Sequence, residues 1–323
     1  MQTLASFPAA RAALGDDASR AGLLAMEDLV LARLKAMGYT PVTQDIPYAV
    51  PARDWPRPDP SPSTSSNSQA QAPTSAAPQP AGDSAHPQVW RNIIVEIPGS
   101  QTPSEVLVIS AHVDAVVRAP GADDDGSGAA VLLEVARVLK DRPARRTIRF
   151  IFFNLEELGL IGSRHYVSQQ AALWNEGKEK IIGMVSLDAV GYFSEAPNSQ
   201  KSPLPPIPGR FEPRTTGDFI ALVTVSGAAD FNKALEAGIK TGAPGLETFR
   251  FDVLPVPIPD ILRSDHAPFL AQGIPAVMMT DTANFRSPHY HTPTDTIDTI
   301  DAPRLTLVAR GLAAACVQIA NAP

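Results

Sequence analysis

The sequence is poor in the residues that would support several common kinds of protein. Only one of its 323 residues, Cys316, is a cysteine, which excludes an internal disulfide and a structural zinc site built on several thiolates. No apolar run reaches the roughly 18 residues that would predict a membrane span. Acidic residues outnumber basic ones, and the net charge of -7 argues against a nucleic-acid-binding surface. Because the chain has a single thiol, any bound metal must be held mainly by imidazole and carboxylate.

The size and composition of the chain allow a large hydrophobic core. With 323 residues, 44% of them hydrophobic, the sequence is compatible with one α/β domain, since enzymes of this class often form single domains of that length. The residues up to Arg20 mix charge with alanine and contain no apolar core of the signal-peptide type. The residues themselves leave the compartment and the oligomeric state open.

Residues 56–87 differ in composition from the rest of the chain. They are dense in proline, serine, alanine and glutamine and contain few large apolar side chains. Such a segment buries too little surface to offset the entropy of ordering it. We predict a disordered insert between two strands, within a single domain that covers residues 1–323. A proline-rich docking motif is the alternative interpretation.

The hydrophobic pattern predicts strands and helices in alternation. An apolar stripe at helical spacing covers residues 17–37, and Gly38 follows as the expected C-cap. A second helix is predicted over residues 127–140, with Ser127 placed to cap it. The predicted strands cover residues 39–50, 92–97, 106–111, 147–154, 181–187, 219–225 and 276–280. Continuous apolar strands separated by helices favour a mostly parallel sheet covered on both sides.

Polar residues directly follow three of these strands: His112 and Asp114, Glu156 and Glu157, and Asp188. The ligand crevice of an open α/β sheet lies at the carboxyl ends of its strands, so we expect these side chains to converge on one edge. Each also has a purely structural interpretation. His112 with Asp114 is equally well explained as a capping pair at a strand end, and Asp188 as a helix or turn cap.

Adjacent carboxylates are concentrated in two places along the chain. Asp123, Asp124 and Asp125 precede the second predicted helix, where the helix dipole stabilises one or two acids. Three acids in a row are costly unless a cation is present. Glu156 and Glu157 would likewise repel each other at the end of an apolar strand. A metal bound by one of them, with the other acting as a base, removes that conflict.

The histidines that do not follow a predicted strand differ in whether they are candidate metal ligands. His289 and His291 lie in one polar segment, and either could bind a metal. His165 is expected to face solvent from a surface helix. His266 is interpreted as structural or as a neighbour of the ligands, and His86 falls in the predicted insert.

Together these pieces resemble the co-catalytic di-zinc aminopeptidase family, the bacterial leucyl-aminopeptidase-like zinc exopeptidases related to glutamate carboxypeptidase and glutaminyl cyclase. The resemblance covers roughly residues 90–300. The matching pieces are Ala111 to Asp114, Gly121 to Gly128, Asn154 to Glu157, Leu187 with Asp188, Ser264 to Phe269, and His289 to Thr296. The resemblance implies a three-layer α/β/α zinc-exopeptidase fold with a mixed, mostly parallel central sheet flanked by helices.

The resemblance also implies two zinc ions per chain, with cobalt or manganese as substitutes. One ion would be held by His112 and Asp188, and the other by Glu157 and His291. Asp124 would bridge both ions, and its peptide bond to Asp125 would be cis. The five implied ligands are His112, Asp124, Glu157, Asp188 and His291.

Three further roles are implied by position within the matching motifs. Glu156 would be the general base and acid, Asp114 would support His112, and Tyr290 would help to stabilise the oxyanion. The chain departs from the family at position 123, where asparagine is common and Asp123 stands here. We expect no loss of activity from this change, although it raises the local negative charge.

The function implied by the resemblance is an aminopeptidase that hydrolyses the first bond of peptides with a free N-terminus, using a water activated by two zinc ions. A secreted or periplasmic location is favoured, with the cytoplasm as the alternative. A glutaminyl cyclase-like acyltransferase stays open, as does a carboxypeptidase, for which Arg263 and Arg286 could bind a substrate carboxylate. A non-catalytic binding relative predicts missing ligands, and all five implied ligands are present.

Overall fold

The structure is a computed structural model that describes residues 6–8, 10–14, 16–48, 89–208, 211–253 and 259–323. The predicted insert at 56–87, with His86, lies outside the described residues, as do the last two residues of the strand predicted at 39–50. Among the described residues, no helix combines the length and apolar character needed to cross a bilayer.

An eight-stranded sheet forms the centre of the protein. Its strands are β1 (Val42–Pro47), β2 (Val89–Ile97), β3 (Thr102–His112), β4 (Arg146–Phe153), β5 (Lys180–Leu187), β6 (Phe219–Val225), β7 (Glu247–Val253) and β8 (Ala276–Thr280). The helices are α1 (Asp17–Ala36), α2 (Gly126–Leu139), α3 (Ile161–Asn175), α4 (Ala229–Gly242), α5 (Ala267–Leu270) and α6 (Ala302–Ala320).

The strand order is β1-β2-β4-β3-β5-β8-β6-β7, and the sheet is mixed. Strands β4, β3, β5 and β8 run parallel to one another, and β6 is parallel to β7. The β1–β2, β2–β4 and β6–β8 pairs are antiparallel. The expected mixed, mostly parallel sheet flanked by helices is confirmed.

The central strands are buried on both faces, which explains their continuous apolar sequences. In β3, Leu107 and Ile109 belong to a large core cluster shared with α1, α2, α4 and α6. Val106 and Val108 belong to a second cluster that includes residues of α3 and α5. Because successive side chains of a strand point to opposite faces, this division places helices on both sides of the sheet.

The helix after β3 begins differently from the prediction. Asp125, not Ser127, is the N-cap of α2, because its carboxylate accepts a hydrogen bond from the backbone N–H of Gly128 at 3.1 Å. Ser127 instead lies in the first turn, where its hydroxyl donates to the carbonyl of Asp123 and accepts from the N–H of Val190. The prediction of a Ser127 cap was wrong because the acid two residues earlier is placed to reach the free amide.

Most predicted boundaries agree with the structure, and several elements were not predicted. Helix α1 follows its apolar stripe, and Gly38 has the positive φ of 81° expected after a helix end. The edge strand β7 and the helices α4 and α6 were missed. His165 does lie on a helix, α3, but it is partly buried and does not face solvent fully.

Candidate metal centre

The parallel strands bring the predicted site residues to one edge of the sheet. His112 is the last residue of β3 and pairs in register with Phe153, the last residue of β4. Glu156 and Glu157 follow β4 within four residues, and Asp188 directly follows β5. The convergence expected from the sequence is therefore present.

Asp124 is the residue that joins the two sides of the site. Its Oδ1 lies 3.1 Å from Nε2 of His112, and its Oδ2 lies 2.9 Å from Nε2 of His291. The same nitrogen of His291 lies 3.3 Å from Oε1 of Glu157. One carboxylate thus places a separate oxygen beside each imidazole.

Two sets of three side chains place one ligand atom each within 4.8 Å of one another. The first is His112, Glu156 and Asp188, and the second is His112, Asp124 and Glu157. Both sets contain His112, the first contains Glu156, and neither contains His291. The resemblance instead implies His291 as a ligand of the second ion and Glu156 as a base. Imidazole and carboxylate donors in this number fit a zinc-like divalent cation.

The ionisation of the cluster shows an excess of buried acid. Burial raises the pKa of Glu156 well above its usual range, and burial together with Asp124 raises the pKa of Glu157 to about 7. Burial alone would lower the pKa of His291, but hydrogen bonds to Asp124 and Glu157 outweigh it and raise that pKa to about 10. The protein side chains cannot all ionise without a positive partner, which a divalent cation would supply.

Asp114 holds the chain segment that carries both glutamates. Its two carboxylate oxygens accept hydrogen bonds from the backbone N–H groups of Glu156 and Glu157, each at 3.1 Å. One of those oxygens also lies 3.5 Å from Nδ1 of His112. The backbone carbonyl oxygen of Asp114, at 3.1 Å, is nearer to Nδ1 of His112 than the carboxylate is. The Asp114 carboxylate fixes the backbone of the glutamate pair, and its support of His112 stays a prediction.

Two further aspartates organise the site and were not singled out from the sequence. Asp295 accepts the backbone N–H groups of Asp123 at 2.8 Å and Asp124 at 3.2 Å. Asp125 accepts the N–H of His112 at 3.0 Å and of Ala189 at 3.2 Å, so it links the ends of β3 and β5. Side chains that hold the backbone of ligand residues tune and orient metal sites.

The backbone around the site adopts uncommon conformations. The Asp124–Asp125 peptide bond is cis, as the resemblance implied. Leu155, Ala189 and His291 have φ angles of 59°, 50° and 58°, a region that non-glycine residues rarely occupy. Positive φ angles at non-glycine residues cluster at functional sites because the surrounding structure must hold them.

Tyr290 lies beside the cluster and is itself held in place. Its ring stacks on His291 at 3.8 Å between centroids, and its hydroxyl accepts a hydrogen bond from Nη2 of Arg263 at 2.9 Å. Burial, followed by the charges of Asp124 and Asp188, raises the pKa of Tyr290, so the phenol stays protonated and can donate. Arg263 and Tyr290 both line the cavity beside the cluster.

The structure distinguishes His289 from His291, which the sequence offered as alternative metal ligands. His289 hydrogen-bonds through Nδ1 to Oγ1 of Thr294 at 2.9 Å and lies against Tyr192, whereas His291 faces Asp124. His266 is fully buried, and burial lowers its pKa to about 4, which keeps it neutral.

A cavity of about 500 Å³ opens onto the cluster. Asp124, Glu156 and His291 are among the residues that line it at the metal end. Its remaining wall is largely apolar and includes Phe211, Phe219, Phe249, Phe251 and Met278. The polar cluster therefore lies beside space for a large apolar group.

The sequence of the chain is matched by a family of known enzymes. Residues 92–316, more than half of the chain, match the model of the family described as Peptidase family M28. The chain belongs to peptidase family M28. Membership confirms the resemblance stated above and the expectation of a peptide hydrolase.

Individual relatives agree with this assignment. The chain is 31% identical over 235 residues to the uncharacterised protein YfbL of Escherichia coli, covering 69% of each chain. It is 33% identical over 228 residues to the aminopeptidase YwaD of Bacillus subtilis, covering 68% of this chain and 42% of that protein. The chain therefore spans less than half the length of this relative.

Solved structures also match. A zinc aminopeptidase from B. subtilis matches with a TM-score of 0.56 and 28% identity, covering 74% of this chain and 52% of that one. The aminopeptidase LapA of Legionella pneumophila matches with a TM-score of 0.67 at 20% identity, covering 99% of this chain and 70% of that one. The latter likeness establishes the fold alone, and it supports the three-layer α/β/α architecture.

Proposed function

We propose that this M28 family member is a zinc-dependent aminopeptidase, a single-domain exopeptidase that removes the first residue of peptides with a free N-terminus. The observation that carries the proposal is Asp124, whose two oxygens each lie within 3.1 Å of a different histidine. The B. subtilis relatives are named as an aminopeptidase and a zinc aminopeptidase, which supports the same activity.

The proposed site holds two zinc ions, with cobalt or manganese as substitutes. In this proposal His112 and Asp188 hold one ion, Glu157 and His291 hold the other, and Asp124 bridges them. When bound, such ions supply Lewis acidity and lower the pKa of water. The buried acids of the cluster support this assignment, because burial raises the pKa values of Glu156 and Glu157 and a bound cation would favour their ionised forms.

Glu156 is proposed as the general base and acid. Its carboxylate is buried next to the cluster, 4.0 Å from Nε2 of His112, and burial raises its pKa. A carboxyl group with a raised pKa can take a proton from the attacking water and deliver it to the departing amine near neutral pH. Tyr290 donates its phenolic proton toward the developing oxyanion, with Arg263 holding its hydroxyl oxygen in place.

The cavity suggests which peptides fit. Its acidic end attracts an α-ammonium group, and its aromatic wall provides apolar surface for the first side chain. We therefore propose a preference for large apolar first residues. Arg263 lines the same cavity and supports a carboxypeptidase as the second candidate, because a guanidinium can bind the terminal carboxylate of a substrate.

The test couples metal content to activity. The purified protein is analysed for zinc and assayed on amino-acid p-nitroanilides and on matched N-acetylated peptides, with and without a chelator. About two zinc ions per chain and chelator-sensitive release only from free N-termini are expected. Release from the C-terminus of blocked peptides would favour the carboxypeptidase, and cyclisation of N-terminal glutamine would favour the cyclase.

A pair of variants tests the bridging role. Asp124→Ala should lose metal, because the remaining acids would face one another without the residue that links them. Asp45→Ala, an exposed acid on β1, serves as the matched control and should retain full zinc content. An Asp124→Ala protein that still binds two zinc ions would contradict the bridging assignment.

A further inference from the structure

Two buried charged side chains from the chain before β1 contact the loops that carry the candidate ligands. Arg11 and Glu27 lie outside residues 92–316, the part that matches the M28 family. We infer that this N-terminal segment is a working part of the candidate metal centre, in which Arg11 and Glu27 are positioning residues for its two ligand-bearing loops. The inference rests on the proposed metal site and adds to it.

Arg11 spans both ends of the loop between His112 and Asp124. The side chain is only 2% exposed and donates to four backbone carbonyls. Nε donates to Val113 at 3.0 Å and Nη2 to Gly121 at 2.7 Å, while Nη1 donates to Pro120 and Pro8, each at 2.9 Å. The backbone carbonyl of Arg11 also accepts the N–H of Ala115 at 2.8 Å.

The positive charge of Arg11 lies near four aspartates of the site. Burial lowers its pKa, but the nearby charges of Asp295, Asp125, Asp114 and Asp124 oppose that effect. An arginine stays protonated in proteins, so a fixed cation lies behind the aspartates of the site. It offsets part of their repulsion whether or not a metal is bound.

Glu27 acts on the other loop. It is fully buried on α1, and its Oε1 accepts from Nδ2 of Asn154 at 2.6 Å and from the N–H of Arg91 at 3.0 Å. Oδ1 of Asn154 in turn accepts the N–H of Leu155 at 2.8 Å. Leu155 has a φ of 59° and immediately precedes Glu156, so Glu27 stabilises the turn that presents the glutamate pair.

These contacts lie close in sequence to the candidate ligands or to Glu156. Val113 is one residue from His112, Asn154 is two from Glu156, and Gly121 is three from Asp124. This proximity is the basis for separating positioning from general stability. An error of about 1 Å in the placement of a reacting group can lower turnover by roughly 100-fold. Loss of either contact should therefore lower kcat more than the loss of stability alone would.

The central experiment compares the buried Arg11 with a partly buried arginine in the full chain. Arg11→Met removes the loop contacts, while Arg149→Met removes an arginine of β4 that is only 11% exposed, pairs with Glu96 and Glu179 and touches no candidate ligand. Both should lose stability in urea. Only Arg11→Met should lower kcat, by roughly 10–100-fold, and speed amide hydrogen exchange of residues 113–123 in the metal-free protein.

Equal loss of kcat in the two arginine variants at matched fractions of folded protein, with unchanged exchange of residues 113–123, would overturn the inference. Because Arg11→Met could fail to fold, Arg11→Ala is also assayed with millimolar methylguanidinium. Partial recovery of kcat in Arg11→Ala but not in Arg149→Ala is expected, and no recovery counts against the inference.

Glu27 is tested with a conservative pair. Glu27→Gln keeps an oxygen that can accept from Asn154 and should retain most of kcat, whereas Glu27→Leu should not. Equal turnover of the two variants would contradict the positioning role. Failure of the proposed function is separable: if the wild-type protein lacks metal-dependent activity, the exchange of residues 113–123 still reports whether Arg11 holds that loop.

Discussion

The Asp114→Asn substitution tests whether the Asp114 carboxylate holds the backbone of Glu156 and Glu157 in place. The wild-type carboxylate is 1% exposed and accepts one backbone N–H on each oxygen, from Glu156 and Glu157. Asparagine keeps one acceptor and turns an NH2 group toward the other backbone N–H, so one bond is lost and two donors face each other. Losing a bond to a charged group and leaving a buried donor unpaired costs about 3 kcal/mol in the free energy of unfolding.

The effect on activity follows from the same contacts. Residues that hold metal ligands typically change metal affinity or activity by about 10–100-fold when they are mutated. The assay measures urea unfolding of the metal-free protein, zinc affinity, and kcat/KM on leucine p-nitroanilide. Glu134→Gln is the control, since Glu134 pairs with Arg137 on the exposed face of α2.

An Asp114→Asn protein with unfolding free energy within about 0.5 kcal/mol of wild type, the range typical of surface substitutions, would refute this reasoning if kcat/KM were also unchanged. A loss of stability with full activity would show that Asp114 holds the fold and not the site.

Three further predictions follow from the site and the cavity. Glu156→Gln should keep its zinc but lower kcat by about 10²–10⁴-fold, because base and acid are lost together, and near-normal turnover would exclude the role. The metal-free protein should become less stable in thermal unfolding experiments as pH rises from about 4 to 10. Three groups have higher pKa values in the folded than in the unfolded protein: Asp295 and Glu157, each about 7, and His291, about 10. The folded state then binds more protons throughout that window, so a flat or rising profile would contradict the assigned ionisation. Phe249→Ala should reduce kcat/KM for phenylalanine p-nitroanilide relative to alanine p-nitroanilide by roughly 10–100-fold, and an unchanged ratio would mean that the aromatic wall does not contact the first side chain.

Local patterns in the sequence were enough to predict much of the fold. The apolar stripe of α1 and the continuous apolar runs of β3, β4 and β5 depend on burial, which repeats at the helical or strand period and can be recognised from neighbouring residues. The helices α4 and α6 and the edge strand β7 were missed. Strand β7 is bordered by another strand on one side only. Its sequence alternates polar with apolar residues, which is the pattern of a half-buried strand, so this element could have been recognised from the sequence.

The candidate site likewise has one part that could be predicted from the sequence and one part that could not. The acids and the imidazole that follow β3, β4 and β5 could be predicted from strand ends alone, since parallel strands bring their carboxyl ends to one edge. The choice between His289 and His291 could not, because the two residues lie in one loop and only the folded chain decides which ring meets Asp124. The cap of α2, by contrast, is a local contact, because Asp125 accepts from the N–H of Gly128 three residues further along the chain.

The sequence by itself determined the types of ligand, their order along the chain, and the strands that deliver most of them, because these properties depend on short segments. Only the tertiary structure decided the long-range supports. Arg11 meets Gly121 across 110 residues of chain, and Asp295 meets Asp123 across 172. No periodicity encodes such contacts. They form because the topology of the sheet brings distant loops together, where a buried donor or acceptor must find a partner.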